Sequence, residues 1–159
     1  MGEIYPSIPW VTGEERIAII THKLKFISDE HRIKVAYVRQ TNPLTFIQDE
    51  YLDQVIRVAG GIPQSNPLDP SFAPEALVVI SDKEVGTLLS ELPSELTSSF
   101  WPETRAVKNN NVFIVYHPEH LRTPGKTPAD DVEIMAEIIN PGYFIFGRNE
   151  DAWLQFDLG

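Results

Sequence analysis

The apolar positions of this chain come in two rhythms. Between Glu14 and His31, Ile17, Ile20, Leu24 and Ile27 recur at steps of three and four, the spacing of one helical face. Thr12 or Gly13 is placed to cap that helix, and Glu14 and Glu15 suit its positive end. A second helical spacing, through Leu52, Val55, Ile56 and Ala59, predicts a helix over Phe46–Ala59 that Gly60-Gly61 stops. Elsewhere apolar residues run together. Lys34–Arg39 reads as a strand, Ala76–Ser81 as a strand buried on both faces, and Val112–Tyr116 as a third. Glu84–Glu91 is a short helix, and Pro128–Ile139 is a helix with its proline in the first turn. Tyr143–Phe146 reads as a last strand, and Trp153–Leu158 closes the chain. Thr41-Asn42-Pro43 breaks the first strand. Ile62–Pro74, with four prolines, reads as a loop, and Pro93–Glu103 reads as irregular.

Strands alternating with helices predict an α/β three-layer sandwich with a mostly parallel sheet. The length of 159 residues fits one domain, and 42% apolar residues suffice for a core. Without an internal repeat or a linker, residues 1–159 read as a single domain. Residues 1–33 are its leading segment and helix, 34–141 its core and 142–159 a C-terminal extension. In such sheets ligands sit beyond the carboxyl ends of the strands. That directs attention to Ala106–Pro141, where a turn, a strand, a Pro-rich loop carrying Arg122 and Lys126, and an amphipathic helix follow one another.

The formal net charge of −10 opposes broad binding to nucleic acid or anionic lipid, which need a basic face. Local basic spots remain at Arg32 with Lys34 and at Arg122 with Lys126. No run of about 18 apolar residues is present, so no membrane insertion is expected. The absence of cysteine removes disulfides, thiol catalysis and cysteine metal sites. Met1-Gly-Glu-Ile-Tyr-Pro lacks a basic stretch followed by an apolar one, so no secretory signal is read there.

His117-Pro-Glu-His120 brings two histidines and a carboxylate together, but Pro118 opposes the helical face that such ligands would share. No metal and no cofactor are expected. Asp49-Glu50 and Asp130-Asp131 fall where helices begin, and first-turn acids are stabilising there without any catalytic duty. No nucleophile elbow occurs, so no catalytic residue is assigned. The enzyme alternative is a small hydrolase that uses His117 or His120 with Asp130. Trp101, between Phe100 and Pro102, is either a core plug or a stacking platform. Arg122 either pairs with an acid or offers a guanidinium fork to an anionic ligand.

Taken in order, several segments resemble the C-terminal lobe of the periplasmic binding proteins of iron-siderophore, haem and cobalamin ABC importers. Lys34-Val-Ala-Tyr-Val resembles the strand that opens that lobe. Tyr51-Leu-Asp-Gln-Val-Ile-Arg-Val-Ala-Gly-Gly61 resembles its helix ending in Ala-Gly-Gly. Pro74-Glu-Ala-Leu-Val-Val-Ile-Ser81 resembles its Pro-Asp-x-Ile-x-Val strand. Trp101-Pro102 with Ala106-Val-Lys-Asn-Asn-Asn-Val-Phe resembles the approach to the next strand. Arg122-Thr-Pro-Gly-Lys126 resembles its Arg-Pro-Gly-Pro-Arg loop, and the helix ending in Ile139-Asn-Pro141 resembles one ending in His-Pro.

The resemblance implies a binding protein rather than an enzyme. Its ligand would lie against Thr41–Thr45, Ser81–Lys83, Trp101 and Arg122–Lys126. Thr41, Asn42 and Lys126 would join a stacking Trp101 and an anion-holding Arg122. The family has two lobes and this chain has residues for one, so a partner lobe or a second copy in a homodimer would face it. An ABC permease is the implied larger partner. The resemblance implies a periplasmic or extracytoplasmic location, and the lack of a visible signal a cytoplasmic one. The alternative reading is a homo-oligomeric interaction or regulatory module with Trp101 and Arg122 in its interface.

Overall fold

The computed structural model describes residues 14–26, 32–41, 44–46, 49–64, 74–81, 83–97, 101–116, 121, 128–140, 144 and 153–156. In chain order the elements are α1 (Glu14–Leu24), β1 (Lys34–Thr41), β2 (Leu44–Phe46), α2 (Glu50–Val58), β3 (Ile62–Gln64) and β4 (Ala76–Ile80). They continue with α3 (Val85–Leu96), α4 (Arg105–Lys108), β5 (Val112–Val115), α5 (Pro128–Ile139) and β6 (Trp153–Phe156). A 3-10 turn at Trp101–Glu103 precedes α4.

The strands form one six-stranded sheet in the order β2-β1-β4-β5-β6, with β3 also on β1. The centre is parallel: Val35–Val38 of β1 pair with Ala76–Val79, and Leu77–Ile80 pair with Val112–Val115. On the other edge of β1, β3 runs parallel along Lys34–Ala36, and β2 returns antiparallel along Val38–Thr41. β6 adds an antiparallel edge beside β5, so the predicted C-terminal extension supplies a strand of the same sheet.

Alternation of side chains builds two cores. Val35, Tyr37, Val78, Ile80, Phe113 and Val115 face α1, α2 and α5. Ala36, Val38, Leu77, Val79, Val112 and Ile114 face α3, the Trp101 turn and α4. All of β4 is buried. Each such Val, Leu or Ile contributes about 1.5–3 kcal/mol on leaving water. The mostly parallel three-layer architecture that the sequence predicts is the one found.

Several boundaries differ from the expectation. α2 begins at Glu50 rather than Phe46, because the Asp49 side chain accepts from the amides of Tyr51 and Leu52 and caps the helix. Phe46 belongs to β2 instead, which runs antiparallel to β1 from Val38 opposite Phe46 to Thr41 opposite Leu44. Ile62–Gln64 is a strand rather than a loop. α3 continues past Glu91 to Leu96 and through Pro93. Proline removes one helical hydrogen bond, but Leu88, Leu92 and Leu96 make one buried stripe along α3 that outweighs the loss. α1 ends at Leu24, and residues 27–31 of the predicted longer helix lie outside the described residues. Within the predicted Tyr143–Phe146 strand only Phe144 is described, as an isolated bridge residue.

Candidate functional site

The parallel strands β1, β4 and β5 end on one side of the sheet, at Arg39–Thr41, Ser81 and Tyr116. A polar network joins this end to the N-termini of α2 and α5. Tyr37 Oη donates to Asp53 Oδ1 at 2.8 Å and accepts from the Asp49 amide at 2.9 Å. Asp49 Oδ1 accepts from the amides of Tyr51 (2.9 Å) and Leu52 (3.2 Å), while its Oδ2 accepts from Arg39 Nη2 at 3.2 Å. The same Nη2 donates to the Leu121 carbonyl at 3.2 Å. The Leu121 amide donates to Asp131 Oδ1 at 2.9 Å, and the Tyr51 hydroxyl donates to Asp131 Oδ2.

Leu121 is therefore held at both its backbone donor and its backbone acceptor. It is fully buried and sits at φ 58°, a left-handed conformation that a branched side chain adopts only under constraint. Arg39 and Asp131 supply that constraint from two different elements. Burial, and then the hydrogen bond to Asp53, raise the Tyr37 phenol above its ordinary range. Burial, and then the negative charge of Asp131, do the same to Tyr51. Both phenols remain neutral donors throughout the physiological range.

The sequence-predicted site residues fare differently. Thr41 is the last residue of β1, at the carboxyl end of the sheet. Asn42, Arg122, Lys126, His117 and His120 lie outside the described residues. Ser81 is buried and its hydroxyl accepts from the Lys83 amide at 3.2 Å, while Lys83 pairs with Glu91 at 2.8 Å. Asp130 lies in the first turn of α5, beside the more deeply buried Asp131.

Trp101 requires a correction. It is 3% exposed and belongs to the core between α3, α4 and the sheet. Its carbonyl accepts from the Thr104 hydroxyl at 2.7 Å, and the Ala106 amide that follows bonds the Pro74 carbonyl, just before β4 begins. The segment is thus tied to the amino ends of the strands, opposite the end where a ligand would lie. A ring packed among Leu92, Leu96 and Val107 is a core plug, not a stacking platform.

The network went unassigned in the sequence, where Asp49 and Asp131 read only as first-turn acids. A signal was present in Asp53, an acid inside the otherwise apolar stripe Leu52, Val55, Ile56 of α2. Among the described residues no group of three or more metal-ligating side chains gathers. No described helix is long and apolar enough to cross a membrane.

A mostly parallel sheet covered on both faces by helices is a fold also found in solved ABC-transporter substrate-binding proteins. The chain is similar to such a protein from Listeria monocytogenes EGD-e, at TM-score 0.64 and 14% identity, over 79% of this chain and 53% of that one. It is similar to the TroA-like periplasmic binding protein FepB from Veillonella parvula, at TM-score 0.62 and 14% identity, over 83% and 46%. It is also similar to S. aureus IsdE, solved in complex with haem, at TM-score 0.56 and 14% identity, over 79% and 53%. The chain spans about half the length of these proteins. At such identities the likeness is one of fold. No protein-family model and no curated protein matches the sequence.

Proposed function

We propose that this chain is a substrate-binding lobe, C-terminal in type, related to the ABC-importer components that take up iron-siderophores, haem or cobalamin. The observation that carries the reading is the fold shared with substrate-binding proteins over about half their length. The held backbone of Leu121 supports it, because a fixed loop base at the carboxyl end of a parallel sheet suits a ligand-facing loop. The ligand lies against Thr41, Asn42, Arg122 and Lys126, with Trp101 confined to the core. A permease partner and an extracytoplasmic location follow from the same reading. One lobe forms one wall of a cleft, and a second copy or a separate lobe closes it. Calorimetric titration with catecholate and hydroxamate ferric siderophores, haem and cyanocobalamin tests this. Saturable binding of one class near or below about 10 µM is expected, and no heat from any of them at about 100 µM defeats the reading.

A second reading, a lobe that self-associates as an interaction module, is favoured by Ile19 and Phe26. They are 54% and 75% exposed, seven residues apart on the outer side of α1 and the turn after it. Light scattering without ligand decides: a dimer that Phe26→Glu dissociates supports this reading, and a monomer at all concentrations removes it.

A further inference from the structure

We infer that Arg39 is an oxyanion-binding residue of the cleft, taking a carboxylate or phosphate group of the ligand on the guanidinium edge that the fold leaves open. The inference deepens the binding-lobe reading and rests on it for the ligand's identity, not for the anion contact itself.

A guanidinium carries five N–H donors and no acceptor. Arg39 uses one nitrogen, Nη2, for both of its contacts, with Asp49 Oδ2 and with the Leu121 carbonyl, each at 3.2 Å. Among the described residues nothing accepts from its Nε or Nη1. Buried side-chain nitrogens without a partner are also absent among them. Those donors therefore face water, in keeping with a side chain that is 24% exposed.

The group is also preorganised. Arg39 leaves the carboxyl end of β1, and its contacts reach the N-cap of α2 and the residue preceding Arg122. A guanidinium held on one nitrogen loses little further freedom when a planar oxyanion docks against the other two. The neighbouring acids leave the Nε and Nη1 edge of Arg39 unoccupied: Asp49 takes Nη2 alone, and Asp131 takes no donor of Arg39. Asp49 accepts from Arg39 and from the Tyr51 and Leu52 amides, and Asp131 accepts from the Leu121 amide and the Tyr51 hydroxyl. A purely structural arginine at this point would be expected to spread its donors over several acceptors. This one spends a single nitrogen on the fold and presents the rest at the end of the sheet where ligands bind.

The test uses the wild-type chain and nitrogen-15 NMR of arginine Nε–H groups, with citrate and inorganic phosphate as separate probes and exposed Arg57 as internal control. The Arg39 Nε–H resonance is expected to shift saturably with at least one anion, while Arg57 drifts without saturating. The anion that saturates at lower concentration names the group recognised. In Arg39→Gln, with circular dichroism confirming the fold, the saturable response of the Leu121 amide should weaken about tenfold or more. If Arg39 responds no more than Arg57 to either anion, the inference is overturned, whatever becomes of the variant. If Arg39 saturates with citrate while no siderophore, haem or cobalamin binds, the inference stands and the importer reading fails.

Discussion

The amide of Leu121 donates to Asp131 at 2.9 Å and so ties a residue six positions past the end of β5 to the first turn of α5. The other oxygen of the same carboxylate accepts from Tyr51 on α2. One fully buried acid thus joins three elements. Asp131→Ala would leave a buried amide and a half-buried hydroxyl without this acceptor, and a buried donor that loses its partner costs about 1–3 kcal/mol. We expect Asp131→Ala to destabilise the chain by about 2–5 kcal/mol in urea unfolding, and Asp131→Asn by less, since the amide oxygen still accepts one bond. A loss below about 1 kcal/mol for the alanine variant would show that water replaces the carboxylate.

A buried phenol, Tyr37, and a half-buried one, Tyr51, set the behaviour at high pH. Tyr37 and Tyr51 hold their protons in the folded chain well above the ordinary value of 10.0, whereas the unfolded chain releases them near it. Below that value both states are protonated and the tyrosines add no pH dependence. Above it the unfolded state binds fewer protons, so stability falls as pH rises. The expected slope is about 1.4 kcal/mol per pH unit for each tyrosine. Urea unfolding between about pH 9 and 11 should show a shallower decline for Tyr51→Phe than for the wild type. Parallel curves would mean that Tyr51 ionises as readily in the folded chain as in the unfolded one.

Three glycines separate conformation from space. Gly60 lies at φ 101°, and a Cβ there would come within 2.7 Å of Leu24 Cδ2. Gly61 has an ordinary φ, but its Cβ would meet Ile139 Cδ1 and Ile56 Cγ2, both at 2.9 Å. Gly86, in the first turn of α3, would meet nothing within 4 Å. Gly60→Ala is therefore expected to cost most, about 2–4 kcal/mol, since strain and overpacking combine. Gly61→Ala should cost about 1–3 kcal/mol, and Gly86→Ala should stabilise by about 0.5 kcal/mol. Thermal unfolding of the three variants checks the order, and Gly61→Ala costing more than Gly60→Ala would refute the role given to φ.

Much of the fold is legible because it follows local rules. β4 stands out as an unbroken apolar run, and α5 as a helix opened by Pro128 and ended before Pro141. The α2 start is misplaced by four residues because the side-chain cap of Asp49 competes with an apolar spacing that extends back to Phe46. α3 hides behind Pro93, whose local penalty is overridden by burial against the sheet. The polar network is the least legible part. Its bonds join Arg39 to Leu121 and Tyr51 to Asp131, pairs separated by 82 and 80 residues, and no spacing rule links residues so far apart. Arg39 reads from the sequence only as the last residue of a strand. Its significance comes from which of its donors the folded chain uses.

Trp101 provides the sharpest contrast between the two readings of a residue. As a stacking platform it would contact ligand, so its loss would weaken binding and its emission would respond to titration. As a plug between α3, α4 and the sheet, it is 3% exposed and tied to the amino ends of the strands. Trp101→Phe should then leave a cavity and cost about 1–3 kcal/mol of stability, short of the larger loss expected for full truncation to alanine. Ligand or anion affinity should stay within about twofold of the wild type, because no contact at the carboxyl end of the sheet is removed. Trp101 emission, isolated in a variant carrying Trp10→Phe and Trp153→Phe, should be blue-shifted, poorly quenched by acrylamide and unchanged on adding citrate. A tenfold loss of affinity in Trp101→Phe with unaltered stability would return this side chain to the site and move the cleft to the amino end of the sheet.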